Sequence, residues 1–206
     1  MQDLVHLLLK RNRGWPFPEE SWGLTPMFGE DGWCHSCGTP LRAQCGPLTL
    51  TRKGLSPLNG AFVANWRFDA FCMEDSIAKR VAEQFRVALR EVAWKGTPPG
   101  SAMQIIAPTV GPSWYDPEAL TEAATKRHGA PGKACPECHT WRWFPLSKEL
   151  LPPLSREITT AETDVAASPE WFGDGFKSFR QILFRRRLAE LLVEASPRDF
   201  RIQEPK

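Results

Sequence analysis

The sequence has no apolar run approaching the roughly 18 residues that a bilayer-crossing helix requires, so no segment of it is expected to span a membrane as a helix. It has little excess charge. With 26 Lys and Arg against 24 Asp and Glu, the formal net charge is +2, far short of the strongly basic balance that marks nucleic-acid binders. No phosphate-cradling glycine loop and no nucleophile–base pair is visible, so the chain is not expected to be an enzyme. There is one tyrosine against nine tryptophans, and nineteen prolines. The tryptophans are expected to fill a core, given the apolar area each ring buries. At 42% hydrophobic and 24% charged residues, the 206-residue chain has the composition of a soluble globular protein large enough for a real core.

LVHLLL, residues 4–9, is preceded by Asp3, interrupted by His6 and followed by no small-residue cleavage pattern before Trp15-Pro16. It is read as one or two turns of amphipathic helix in a cytoplasmic protein, not as a signal peptide. In a reducing compartment the six cysteines are thiols or metal ligands.

Along the chain, residues 14–32 are rich in Pro, Gly and Trp and read as loop. PLTLTRKGL and AFVANWRF read as strands, with turn residues Ser56, Pro57, Asn59 and Gly60 between them. Ile77, Val81 and Phe85 recur at helical spacing over residues 74–87, VALREVAW follows as a strand, and MQIIA is a short strand within a proline-rich linker. Asp116-Pro117 is a strong helix start, with the stop at Gly129. TWRWFPL reads as a strand and residues 152–169 as loop. Residues 176–195 read as a helix buried through Phe179, Leu183, Leu188, Leu191 and Leu192 and ended before Pro197, and DFRIQE closes as a strand.

The second half resembles the first. Cys34-x-x-Cys37 matches Cys135-x-x-Cys138, Trp66-x-x-Asp69-x-Phe71 matches Trp171-x-x-Asp174-x-Phe176, and Arg80-x-Ala82-Glu83 matches Arg187-x-Ala189-Glu190, in the same order. The expectation is an internally duplicated α+β protein: one pseudo-symmetric domain over residues 1–206, with a first repeat at 30–95, a linker with a helix at 96–131 and a second repeat at 132–206. Each half would hold a zinc knuckle, strand, helix and strand. W-x-x-D-x-F is read as a helix start with packed aromatics and an Asp cap.

A four-cysteine zinc site needs two turns that each present a pair of thiolates, and C-x-x-C makes one such turn. One shared structural zinc held by Cys34, Cys37, Cys135 and Cys138 is therefore the economical arrangement. Gly38 suits the left-handed backbone after the first pair, whereas His139 follows the second and suggests a looser turn. Cys45 could instead complete a local site with Cys34 and Cys37, and Cys72 reads as a small buried residue. Trp33-Cys34-x-x-Cys37 superficially matches a redox motif, but Gly38-Thr39-Pro40 resists the helix such a cysteine needs. Cys135-x-x-Cys138-His139 matches haem attachment, which requires export. His35, His128 and His139 would matter only to an open, catalytic metal site. Arg185-Arg186-Arg187 reads as a solvated face with an Arg186–Glu190 pair, and TWRWFP as packing on the metal-bearing sheet, with base stacking as the alternative.

Two Cys-x-x-Cys motifs in a duplicated chain resemble the bacterial double-CXXCG motif proteins known from myxobacteria. The resemblance rests on WCHSCG, CPECH and the stretch PEWFGDGFKSFRQILFRRRLAELLVEASPRDF, with His139 standing where that motif has glycine. Some members of that family are similar to immunity proteins encoded beside a toxin, which they neutralise by binding it. The resemblance implies Cys34, Cys37, Cys135 and Cys138 as paired motifs, a protein partner such as a cognate toxin, and no catalytic residue. A zinc-ribbon protein that binds nucleic acid or regulates, and a metal-dependent enzyme or enzyme subunit, are the alternative functions.

Overall fold

The structure, a computed structural model, describes residues 3–11, 13, 14, 16–19, 21–51, 57–155, 158 and 162–206. Trp15 and Ser56, named above, lie outside the described residues. The elements in chain order are β1 (Leu4–Leu9), β2 (Phe17–Pro18), α1 (Leu24–Phe28), β3 (Thr49–Thr51), β4 (Ala61–Val63), β5 (Phe71–Glu74), α2 (Asp75–Gln84), β6 (Ala88–Glu91), β7 (Ala93–Lys95), β8 (Ala102–Ile106), α3 (Pro117–His128), β9 (Gly132–Ala134), β10 (Trp141–Trp143), β11 (Val165–Phe172), β12 (Phe179–Arg185), α4 (Arg186–Ala195) and β13 (Phe200–Gln203). The expected α+β class is observed. No helix among the described residues is long and apolar enough to cross a membrane.

Among the described residues the strands form three sheets, ordered β13-β1-β12-β11-β10-β9, β2-β3-β7 and β4-β5-β8-β6. Two of them contain the same unit. In β4-β5-β8-β6, strands β5 and β6 are joined through α2 and both run antiparallel to β8 between them. In β11-β12-β1-β13, strands β12 and β13 are joined through α4 and both run antiparallel to β1 between them. In each unit the outer strand, β4 or β11, pairs antiparallel with the strand that leads into the helix. Both helices bury their third, fourth and seventh residues: Ile77, Ala78 and Val81 in α2, and Leu188, Ala189 and Leu192 in α4. That alignment lies about one helical turn away from the Arg80–Arg187 match in the sequence.

Several segments differ from their sequence reading. Residues 4–9 form a strand, not a helix, and Leu4 to Leu7 are buried in succession because β1 lies between β12 and β13. A strand covered on both faces has no polar alternation to betray it. Residues 179–185, read as the first half of a long helix, form β12. Phe179 and Leu183 share a face, but a spacing of four fits a two-residue period as well as a helical one. Ile182 and Phe184 point to the opposite core, which settles the strand. β11 starts at Val165, inside the stretch read as loop, and its ladder shifts register between Ala167 and Trp171. That irregularity accommodates Pro169, whose missing N–H cannot join a ladder. VALREVAW divides into β6 and β7, in different sheets. MQIIA is β8, central in its sheet. Neither W-x-x-D-x-F starts a helix, because Phe71 opens β5, and Asp174 sits in the turn between β11 and β12 and accepts from Gly175 N–H.

The α3 reading holds in detail. The Asp116 carboxylate accepts from Ala119 N–H at 2.8 Å, and Gly129 takes φ +81° at the C-terminus. One core cluster takes residues from both repeated units, among them Phe71, Met73 and Val81 on one side and Val5, Phe184 and Leu188 on the other. The Phe71 and Phe184 rings meet edge to face at 4.9 Å between centroids. Gly60 lies so close to the end of α4 that an added Cβ would come within 2.8 Å of Ala195 O, and Ser196 Oγ accepts from Ala61 N–H there.

Candidate metal centre

Both Cys-x-x-Cys segments fold into the same turn. In the first, Cys34 N–H donates to Thr39 O at 2.8 Å and Gly38 N–H to Cys34 O at 2.7 Å. In the second, Cys135 N–H donates to Thr140 O and His139 N–H to Cys135 O, both at 3.0 Å. The first turn is closed by the Trp33–Pro40 bridge, and the second is the tip of the β9–β10 hairpin, where Trp141 pairs with Ala134. Gly38 has φ +72° and His139 φ +58°. The second turn keeps the hydrogen-bond pattern of the first, with each bond 0.2–0.3 Å longer. His139 adopts the left-handed conformation that glycine takes at no steric cost. Gly38 is also hemmed in, since a Cβ there would meet Phe176 O at 2.3 Å.

The two turns face each other and bring all four sequence-predicted cysteines together. Their sulfurs lie within 4.8 Å of one another. Cys34 Sγ is 3.7 Å from Cys135 Sγ, and Cys37 Sγ is 3.7 Å from Cys138 Sγ. All four are free thiols. A regular tetrahedron with metal–sulfur bonds of about 2.3 Å has edges of about 3.8 Å, so both spacings fit a four-coordinate metal. Cys34, Cys37 and Cys135 are buried and Cys138 is half-buried. A group of four sulfurs could thus hold a metal ion.

The electrostatics of the cluster are uneven. Burial pushes the Cys37 thiol up to about 12, against the opposing hydrogen bonds from Thr39, and burial likewise raises Cys34. The Cys138 and Glu137 N–H groups hold Cys135 down at about 6. One thiolate forms readily at the N–H-rich second turn, while the first turn resists adding more negative charge to a buried place. A divalent cation removes that conflict, because coordinating thiols ionise outright.

A buried cation lies directly behind the cluster. Arg142 in β10 is 2% exposed, and its Nη1 donates to Cys37 O at 3.1 Å, Gly175 O at 2.9 Å and Lys177 O at 3.2 Å. One guanidinium thereby ties the first cysteine turn to the β11–β12 turn and to the strand that follows the second. Its hydrogen bonds among the described residues go to carbonyls and not to a carboxylate; exposed Asp174 feels its charge through space. Cys37 Sγ donates to Thr39 Oγ1 at 3.1 Å, which donates in turn to Ser178 Oγ at 2.9 Å. Sequence reasoning missed Arg142, Thr39 and Ser178 as parts of the site. One signal was present: CHSCGT and CPECHT both place Thr at the sixth position, where its carbonyl closes the turn.

The remaining candidates lie elsewhere. Cys45 is exposed, directs its thiol to Met27 O and is not among the clustered ligands, and Cys72 is buried in β5 as a small apolar residue. His35 and His128 are engaged with the carbonyls of Glu30 and Pro145, each at 2.8 Å. Among the described residues no histidine joins the thiol group. The segment after Cys37 is a turn, not the helix a redox-active cysteine needs. Arg186 pairs with Asp3 and Glu204 at 2.6 and 2.7 Å in place of the expected Glu190. Trp141 is exposed while Trp143 packs beside it edge to face. Compared with protein-family models, curated proteins and solved structures, the chain matches none.

Proposed function

We propose that this chain is a cytoplasmic zinc protein that works by stoichiometric binding of a protein partner, as an immunity or antidote protein neutralising a cognate toxin. The metal in this reading is structural and the chain is not an enzyme. Zinc fits the donor set, since four soft sulfurs at tetrahedral edge distances favour it and leave no position for a reacting water. Cys34, Cys37, Cys135 and Cys138 would hold it and, as thiolates, give the centre a net charge of −2. The buried Arg142 is the counter-charge such a centre calls for. The repeated strand–helix–strand unit and the matching cysteine turns support a duplicated origin, with the metal clamping one half to the other.

The observation that carries protein binding is an exposed aromatic cluster. Trp22, Trp66 and Phe68 are 39%, 41% and 45% exposed, and the two indoles meet edge to face at 5.8 Å. Trp22 and Trp66 both hold left-handed backbone, φ +58° and +69°. Strained residues that display large apolar rings to water are a signature of a binding surface. Among the described residues the neighbouring charge is mainly positive: Lys177 sits 3.9 Å over the Trp66 ring, Lys10 donates to Pro197 O, and Arg11 and Arg13 both pair with Asp199. Trp, Phe and Arg anchors of this kind suit an acidic protein surface. Base stacking wants open ring faces, whereas Lys177 covers a face of Trp66 and Phe68 packs edge to face on Phe179.

The test starts in the native host with a photo-crosslinker at Phe68 and a control crosslinker at exposed Thr125 on α3. Crosslinking at Phe68 to a single protein, which then binds the purified chain one to one and is inhibited by it, is the expected result. Trp66→Asn, which tolerates the left-handed backbone, should weaken that complex by about thirtyfold or more. Salt-steep binding of RNA or DNA with no protein partner would overturn the reading.

A further inference from the structure

A cleft of about 460 Å³ lies between the two repeated units, with Gln104 and Ile105 of β8 on one side and Ala167, Trp171 and Ile182 of β11 and β12 on the other. Its size is that of a small-molecule site. The proposed zinc clamp and the aromatic surface make no use of it.

The wall carries polar atoms that the protein leaves unmatched. Arg67 Nε, Asp69 Oδ1 and Arg180 Nε are buried without a hydrogen-bond partner, and all three residues line this cleft. Native proteins bury few such atoms, and three around one cavity call for an explanation. Arg67 is 7% exposed and its Nη2 lies 3.4 Å from Asp69 Oδ1, so the pair is sequestered yet loosely joined. Arg180 is fixed from two directions: its guanidinium carbon sits 4.2 Å over the Trp171 ring, and its Nη1 donates to Thr109 Oγ1. Burial pulls the Arg180 guanidinium below its ordinary value, opposed by Asp69 and Glu170. Glu170 accepts through Oε1 from Ser113 Oγ and Trp114 N–H, while its Oε2 is buried without a partner away from the cleft lining.

The unmatched donors are two, both on cations, and beside them Asp69 is an acceptor held only loosely, by Arg67 Nη2 and by Arg180 N–H, each at 3.4 Å. A complementary ligand offers an anionic acceptor group with a donor beside it. Ile105, Ala167 and Ile182 supply apolar wall for the rest of the molecule. We propose that this cleft binds a small carboxylate bearing a hydrogen-bond donor on its α-carbon, an α-amino or α-hydroxy acid with an aliphatic side chain. The carboxylate sits between the Arg67 and Arg180 guanidinium groups, and the donor faces Asp69. Arginine forks bind planar carboxylates with two parallel hydrogen bonds, and a preset guanidinium loses little entropy in doing so. Because the cleft takes its walls from both units, the ligand would bridge them.

Three probes with one carbon skeleton test this on the full zinc-loaded chain by calorimetry: L-leucine, 2-hydroxy-4-methylpentanoate and 4-methylpentanoate. The expected result is saturable binding of the first two with dissociation constants below about 1 mM, and weaker binding of 4-methylpentanoate, which lacks the donor. Tighter binding of leucine than of the hydroxy acid assigns the donor as an ammonium group, and the reverse assigns a hydroxyl. Arg180→Gln should weaken all three by about tenfold or more. Asp69→Asn should weaken the donor-bearing pair and leave 4-methylpentanoate unchanged. Should either variant fail to fold, backbone amide spectra of the unaltered chain decide. Ligand-dependent shifts at Gln104, Ala167 and Trp171 support the site, and shifts confined to other regions overturn it. Absence of saturable binding by all three probes, meaning a merely hydrated cleft, also overturns it, as does binding indifferent to Arg180→Gln.

Discussion

Cys34 and Cys135 stand 101 positions apart in the chain and 3.7 Å apart at their sulfurs. That contact, repeated between Cys37 and Cys138, joins the two halves at a point where neither supplies four ligands alone. Metal analysis of purified protein should therefore give about one zinc per chain. Cys135→Ser should lose the metal and speed hydrogen exchange in both α2 and α4. Two zincs per chain, or a protected first half in that variant, would show independent knuckles.

The two turns share their hydrogen bonds but not their fifth residue. His139→Gly should remove left-handed strain and stabilise the folded chain by about 0.5–1 kcal/mol, net of glycine's added freedom when unfolded. Gly38→Ala should do the opposite and cost about 2 kcal/mol or more, because its Cβ would meet Phe176 O at 2.3 Å. Paired denaturant curves on metal-loaded protein measure both, and a destabilised His139→Gly would contradict the strain argument.

Arg142 binds three carbonyls and stands behind the thiols. Arg142→Met should strand those carbonyls and remove the counter-charge, costing about 3 kcal/mol or more, and zinc should transfer faster to a competing chelator. Arg142→Lys keeps charge but cannot span three acceptors from one planar group, so it should recover only part of the metal retention. Equal loss in both variants would assign the effect to geometry and not to charge.

His6 is 2% exposed in β1, its Nδ1 lies 3.2 Å from Ile182 O, and burial first, then nearby Lys148, lowers its pKa to about 3. The folded state therefore keeps His6 neutral while the unfolded chain protonates below about 6.5, and stability falls as pH drops from there toward 3. At pH 5 the loss should be about 2 kcal/mol. His6→Met should flatten that part of the profile, in a comparison of the two chains with zinc held saturating. An unchanged slope would mean that His6 protonates freely in the fold.

The cysteine cluster and α3 were legible in the sequence because their signals are local and chemical. C-x-x-C encodes a turn, and Asp116-Pro117 with Gly129 encodes both ends of a helix. β1 and β12 were not legible, because strands covered on both faces show apolar runs with no alternation, and Phe179 and Leu183 satisfy either period. Arg142 looked like part of a packing strand. Its role depends on Cys37 and Lys177 arriving from distant parts of the chain, which no spacing reveals. The Arg80–Arg187 match lies a turn away from the alignment of the residues that α2 and α4 bury, since charge on a helix surface is freer to drift than the side chains it buries.

The placement of β1 between β12 and β13 bears on how the protein is made. His6 meets Ile182 across 176 residues of chain. At ribosomal rates of about 5–20 residues per second, that strand waits on the order of ten seconds or longer for its partners. Through that interval LVHLLL is an apolar strand with both edges open, a target for chaperones or for a neighbouring nascent chain. Folding of this sheet is then set by the arrival of β12 and β13 and not by β1.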